Sequence, residues 1–146
     1  MIQTTLAKKL YGYLLQNHPD LLLSLQADNA VTKYLEQRLD VLANLPEILL
    51  AEGKPQYIVE EICMDELTRD LRPSRFNYLC SVLQEEFEEK YYAWLDYGIL
   101  AYEVSNLIAD CEEVFENFGF SEANEDDLLL RSAISVKVRA YLDGNL

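Results

Sequence analysis

Enzymes need a nucleophile beside an activating base, a set of metal ligands, or paired carboxylates in unlike surroundings. This chain supplies few such groups. Its one histidine, His18, stands before Pro19. An imidazole without an identifiable partner gives no triad geometry, so His18 reads as a structural residue at a helix end. There is no H-E-x-x-H, phosphate loop, dinucleotide glycine pattern or EF-hand loop. Nor is there a Glu-x-x-His pair for a di-metal bundle. Cys63, Cys80 and Cys111 are odd in number, widely spaced and free of any C-x-x-C pairing. They read as reduced residues packed in a core. The expectation is no enzyme, no cofactor and no metal.

Two patterns could still bind something. Arg69 and Arg72 fall at the end of one expected helix and Arg75 opens the next. Arginine forks suit carboxylates and other anions, so the three form a candidate anion clamp. The ordinary use of such arginines is dipole compensation and ion pairing with the chain's own acids, which the sequence favours. The second pattern is "QEEFEEKYYAWLDYG", residues 84–98, where glutamates alternate with aromatic rings.

Charge sharpens the second pattern. The chain carries a formal net charge of −14, but residues 84–127 hold fourteen acids against the single base Lys90. The other segments nearly cancel. A field of this sign repels a polyanion and lacks a basic footprint, which argues against direct nucleic-acid binding. No run approaches the roughly 18 apolar residues of a membrane span, and the first residues lack a signal-peptide pattern. A cytoplasmic protein without a membrane role is expected.

The 146 residues are half apolar, enough for one domain, 1–146, with a sizeable core. Apolar residues recur at helical spacing between Gly and Pro breaks, and no strand-like alternation appears. The expected fold is all-α, a single compact domain of five to six helices in a bundle or orthogonal array. The first spans residues 5–17 and ends before Pro19. A second starts at 28, and Pro46 either kinks it or ends it ahead of a short helix over 47–52. A third covers 55–71, with Ile58, Ile62, Cys63 and Leu67 inward. A fourth, capped by Ser74, runs to 97. A fifth spans 100–118, with Leu100, Val104, Leu107, Cys111, Val114 and Phe118 in register, and forms a central hairpin with the fourth. A last helix follows Ser121 or Asn124.

On an unbroken fourth helix, Phe76, Leu79, Cys80, Leu83, Phe87, Tyr91, Trp94 and Leu95 gather inward. Glu85, Glu88 and Glu89 gather outward around Tyr92, at spacings where like charges repel by roughly 0.2 to 0.5 kcal/mol per pair. Glu86 and Lys90 make a favourable pair. A charged face of this kind serves solubility, or it is a recognition patch of an aromatic anchor in a polar rim. The candidate interaction surface is Glu85, Glu88, Glu89 and Tyr92, extended by Glu112, Glu113 and Glu116.

The strings "HPDLL", "DELTRDLRPSRFNYLCSVLQEEFEEKYY", "GILAYEVSNLI" and "FGFSEANEDDLLLRSAI" resemble a family of small all-helical proteins of unknown function from Bacteroidetes. Members are often carried on conjugative or mobile elements. The resemblance runs from about Leu10 onward and implies a fold and a genomic setting, with no site to transfer. The sequence thus points to a non-enzymatic interaction or accessory protein that binds an unidentified protein partner through its acidic face. The alternatives are a DNA-mimic inhibitor of a DNA-binding protein, and a small-ligand binder or enzyme built around the arginines. A homodimer through Leu21, Leu22 and Leu23 is a further possibility.

Overall fold

The computed structural model describes residues 2–144, and no strand occurs among them. The helices are α1 (Ile2–Asn17), α2 (Pro19–Ala27), α3 (Val31–Asp40), α4 (Leu45–Ala51), α5 (Gln56–Thr68), α6 (Arg75–Glu86), α7 (Glu88–Asp96), α8 (Leu100–Asp110), α9 (Glu112–Phe118) and α10 (Leu128–Gly144). A 3-10 turn, Arg69–Leu71, follows α5. The all-helical class is as expected, but among the described residues ten α-helices replace the expected five or six. The chain forms two compact units.

The first unit comprises the residues up to Asn17 together with Leu21–Arg72. Leu6, Leu10 and Leu14 of α1 are fully buried. Leu6 packs with Leu42, Leu49, Val59, Cys63 and Leu67, while Leu10 and Leu14 pack with Leu22. Pro46 does not kink a long helix: α3 has already ended at Asp40, and Pro46 lies buried in the first turn of α4. The turn between them places Ala43 at φ 53°, in the left-handed region that costs a non-glycine residue roughly 1 to 2 kcal/mol.

The expected inward places of Ile58 and Ile62, and the expected gap between the first two helices, need correction. On α5 the buried stripe is Val59, Cys63 and Leu67, whereas Ile62 is exposed and Ile58 half-buried. Both stripes satisfy a 3.6-residue period, and packing against α1 and α4 selects the first. Residues 19–27, expected to lie outside any helix, form α2, with Pro19 in the first turn and Asp20 at the favourable N-terminal end. Leu22 of α2 is buried, Leu21 half-buried and Leu23 exposed, so the three leucines do not make one exposed apolar face.

The second unit comprises His18–Asp20 and the chain from Pro73 onward. Its core is built on Leu79, Leu83, Trp94, Val104, Leu107, Cys111, Phe115, Leu130, Ile134 and Val138. Ser74 caps α6 as expected, its hydroxyl accepting from the Asn77 amide at 3.0 Å. The expected fourth and fifth helices are each broken in two. Phe87 leaves helical geometry at φ −137°, ψ 47°, and Cys111 does so at φ −94°, ψ 0°. Neither Gly nor Pro marks these points. Gly119 ends α9 at φ 60°, a conformation glycine adopts without strain.

Buried Phe115 lies against Tyr78 and Phe120, its ring 5.8 and 4.9 Å from theirs. Phe115→Ala should cost about 3 to 5 kcal/mol in urea unfolding. Ala43→Gly should instead raise stability by about 1 kcal/mol, since it relieves the left-handed strain at an exposed turn.

Candidate functional site

The acid-rich segment is best read from the break at Phe87. Before it, Glu85 and Glu86 end α6; after it, Glu88 and Glu89 open α7. Arg131 of α10 donates through Nε to Glu86 and through Nη2 to Glu85, each at 2.7 Å. Ser135 adds a hydroxyl bond to Glu86 at 2.7 Å. Partial burial pushes the Glu86 carboxyl up, but the bonds from Arg131 and Ser135 outweigh it and hold the group below the ordinary glutamate value. Glu86 therefore serves α10 and not the expected pair with Lys90.

The break also removes the geometry assumed for Glu85. The spacing of three and four residues to Glu88 and Glu89 has meaning only along a continuous helix. Glu88 and Glu89 occupy the first turn of α7, where the helix dipole favours negative charge. Along α7, residues 88, 92, 95 and 96 fall on one outward side. Tyr92 is 46% exposed and Leu95 is 48% exposed, flanked by exposed Glu88, Glu89 and Asp96. Leu95, expected in the core, thus joins Tyr92 outside. Of the expected inward neighbours Trp94 and Leu95, only Trp94 is buried. Exposed Tyr97, Ile99 and Tyr102 follow in sequence. Among the described residues, none of Glu88, Glu89 and Asp96 takes part in an ion pair.

Within the first unit, α1 and α5 border a groove of about 590 Å³ lined by Tyr13, Ile58, Glu61, Ile62, Met64, Asp65 and Thr68. No group of three or more His, Cys, Asp or Glu among the described residues is placed to hold a metal ion. No helix among them is long and apolar enough to cross a membrane.

A family model described as a domain of unknown function, DUF1896, matches residues 5–129. The chain belongs to this family. No curated protein and no solved structure matches it. In this DUF1896 chain the family match ends as α10 begins, so most of α10, with Arg131 and Ser135, lies beyond it.

The remaining candidates separate. Glu112 and Glu113 are exposed in the first turn of α9. Glu116 is held by Arg75 at 3.2 Å, and the Arg75 guanidinium also lies over the Phe115 ring at 5.0 Å. Arg69 pairs with Glu66 at 2.7 Å. Arg72 pairs with Asp65 at 3.0 Å and donates to the carbonyls of Asp65 and Thr68. Each arginine thus engages the chain's own acceptors, and none lines the groove. His18 follows α1 directly, between Asn17 and Pro19. Cys63 and Cys111 are buried and Cys80 partly so, with burial pushing the Cys80 and Cys111 thiols up to about 11. Such thiols are poor nucleophiles at neutral pH.

The first-unit residues that sequence reasoning missed are Arg38 and Glu60. Arg38 of α3 donates to both Asp70 oxygens and to the Leu67 carbonyl, pinning α3 to the end of α5. Glu60 is nearly buried and receives Lys9 of α1 at 3.1 Å and Gln56 at 2.9 Å. Gln56–Glu60 is a local i, i+4 pair, but no local pattern signals Arg38–Asp70 or Lys9–Glu60, whose partners lie 32 and 51 residues apart.

Arg131→Gln removes both charged bonds and should cost about 1 kcal/mol at neutral pH. The folded Glu86 pKa is depressed, so its contribution is full above the unfolded value near 4.5 and vanishes as pH falls through the folded value. Stability difference between wild type and variant should therefore shrink below about pH 4.5, with the Glu86 carboxyl titrating higher in the variant by NMR. A difference that is flat with pH would show that the fork does not set this group's charge.

Proposed function

We propose that this DUF1896 protein is a non-enzymatic interaction or accessory protein of the cytoplasm that binds another protein through the outward face of α7. The observation that carries this reading is the pairing of two half-exposed apolar side chains, Tyr92 and Leu95, with a rim of uncommitted acids, Glu88, Glu89 and Asp96. An aromatic anchor inside a polar rim is the usual composition of an interface hot spot. The surface proposed from the sequence is thereby redrawn. Glu85 and Glu116 are engaged by Arg131 and Arg75, and exposed Glu112 and Glu113 belong to α9, so the α7 face keeps Glu88, Glu89 and Tyr92 and adds Leu95 and Asp96.

A setting on mobile elements of Bacteroidetes, implied by the sequence resemblance, suits an accessory protein that acts on a host or element-encoded partner. A DNA-mimic role would call on the same carboxylates as phosphate substitutes. The internal ion pairs of Glu85, Glu86 and Glu116 draw three of them away from that use, which favours a mixed apolar and acidic contact.

Affinity capture with a photo-crosslinker at exposed position 90, outside the substituted positions, tests the reading. The wild type should form a discrete crosslinked adduct, and the double variant Tyr92→Ala, Leu95→Ser should lose capture of that protein by about tenfold or more. The triple variant Glu88→Gln, Glu89→Gln, Asp96→Asn should weaken capture most at low salt, where charge steering counts most. Equal recovery by all three proteins would return the α7 face to a solvated surface.

A further inference from the structure

The groove in the first unit is separate from the α7 face in sequence, in lining and in compact unit. Its lining residues come from two helices: Tyr13 from α1, the others from α5. Ile58 and Ile62 stand one helical turn apart along it, with Met64 and Tyr13 completing an apolar surface. Ile62 is more than a third exposed although its neighbours Val59 and Cys63 are fully buried. The stretch from Ile58 to Thr68 rises about 15 Å, roughly three turns of helix.

The charge along it is one-sided. Glu61 is exposed and, among the described residues, takes part in no ion pair. Asp65 is shared between Arg72 at 3.0 Å and, more loosely, Arg69 at 3.9 Å. The apolar strip therefore runs beside one uncompensated carboxylate, Glu61, and a second, Asp65, that two arginines compensate.

We infer that this groove is a docking site for an amphipathic helix of a partner protein, one that lays apolar residues at i and i+4 on Ile58 and Ile62 and presents Lys or Arg to Glu61. Shape and charge select this occupant together. An open strip three turns long matches the apolar stripe of a short helix, in the helix-in-groove mode of recognition. A second copy of this chain, meeting the groove through the same symmetric patch, would bring its own unpaired Glu61 to the strip, and that like charge opposes self-association there. A basic partner gains from the same carboxylate.

The test uses the full chain labelled with 15N. It is titrated with a synthetic helical peptide bearing Leu at i and i+4 and Lys on the flanks, and with a matched peptide whose flanks are Glu. With the Lys peptide, amide shifts should concentrate at Tyr13 and residues 58–68. Ile62→Asp should weaken binding by about tenfold or more, and Glu61→Gln should weaken it several-fold and flatten its salt dependence. Both positions are exposed, and retained spectral dispersion confirms that the variants fold. The variant Tyr92→Ala, Leu95→Ser should bind the peptide as wild type does, so this site and the α7 face fail or succeed independently. Shifts centred on α7, equal binding of the Glu peptide, or no saturable binding by about 1 mM would each overturn the inference.

Discussion

Arg131 grips two carboxylates at once, and much of the second unit's surface chemistry follows from that grip. Its guanidinium draws Glu85 and Glu86, at the end of α6, onto α10. Eight residues further along α10, the Arg139 guanidinium lies over the Phe87 ring at 5.1 Å. Two cations of one helix therefore hold the two sides of the α6–α7 break, one by charge and one by cation–π attraction. Because both are used internally, they leave the acids after the break without compensation. The outward face of α7 owes its sign to this division.

The breaks also relieve what a continuous helix would suffer. On an unbroken rod, consecutive glutamates repel at three and four residues' separation. Interrupting the rod at Phe87 and Cys111 creates two new helix N-termini, and the pairs Glu88–Glu89 and Glu112–Glu113 fall in their first turns. There the backbone N–H groups and the dipole favour negative charge by a few tenths of a kcal/mol up to about 1 kcal/mol each. Asp127 plays the same part for α10, accepting from the Leu129 amide at 2.9 Å. Much of the acid-rich segment is thus stabilised locally by helix ends, with only a few internal cations.

In the first unit the matching device is Arg38, which ties α3 to the turn after α5 through Asp70 and the Leu67 carbonyl. The salt-bridged Asp70 carboxyl is held below its ordinary value by that guanidinium, and Glu60 is held down by Gln56 and Lys9. With these polar ties fixing α1, α3 and α5, the apolar stripe of α5 that faces inward is Val59, Cys63 and Leu67. Ile58 and Ile62 are left to line the groove.

The sequence alone determined what is local: an all-helical chain, the ends of helices at Asn17, Ser74 and Gly119, the concentration of acid after residue 84, and most of the buried positions, such as Leu79, Leu83, Trp94 and Leu107. These follow from period, caps and composition, which neighbouring residues write directly. Where the apolar pattern offered two stripes of equal period, as at Ile58–Ile62 against Val59–Cys63, only packing could choose. The break between α6 and α7 was equally hidden, because Phe87 carries no breaker signal and the cations that hold its two sides, Arg131 and Arg139, lie more than forty residues away. Tertiary structure therefore decided which acids stay uncommitted, that Leu95 joins Tyr92 in water, and that two isoleucines face a groove: long-range contacts set each helix's phase.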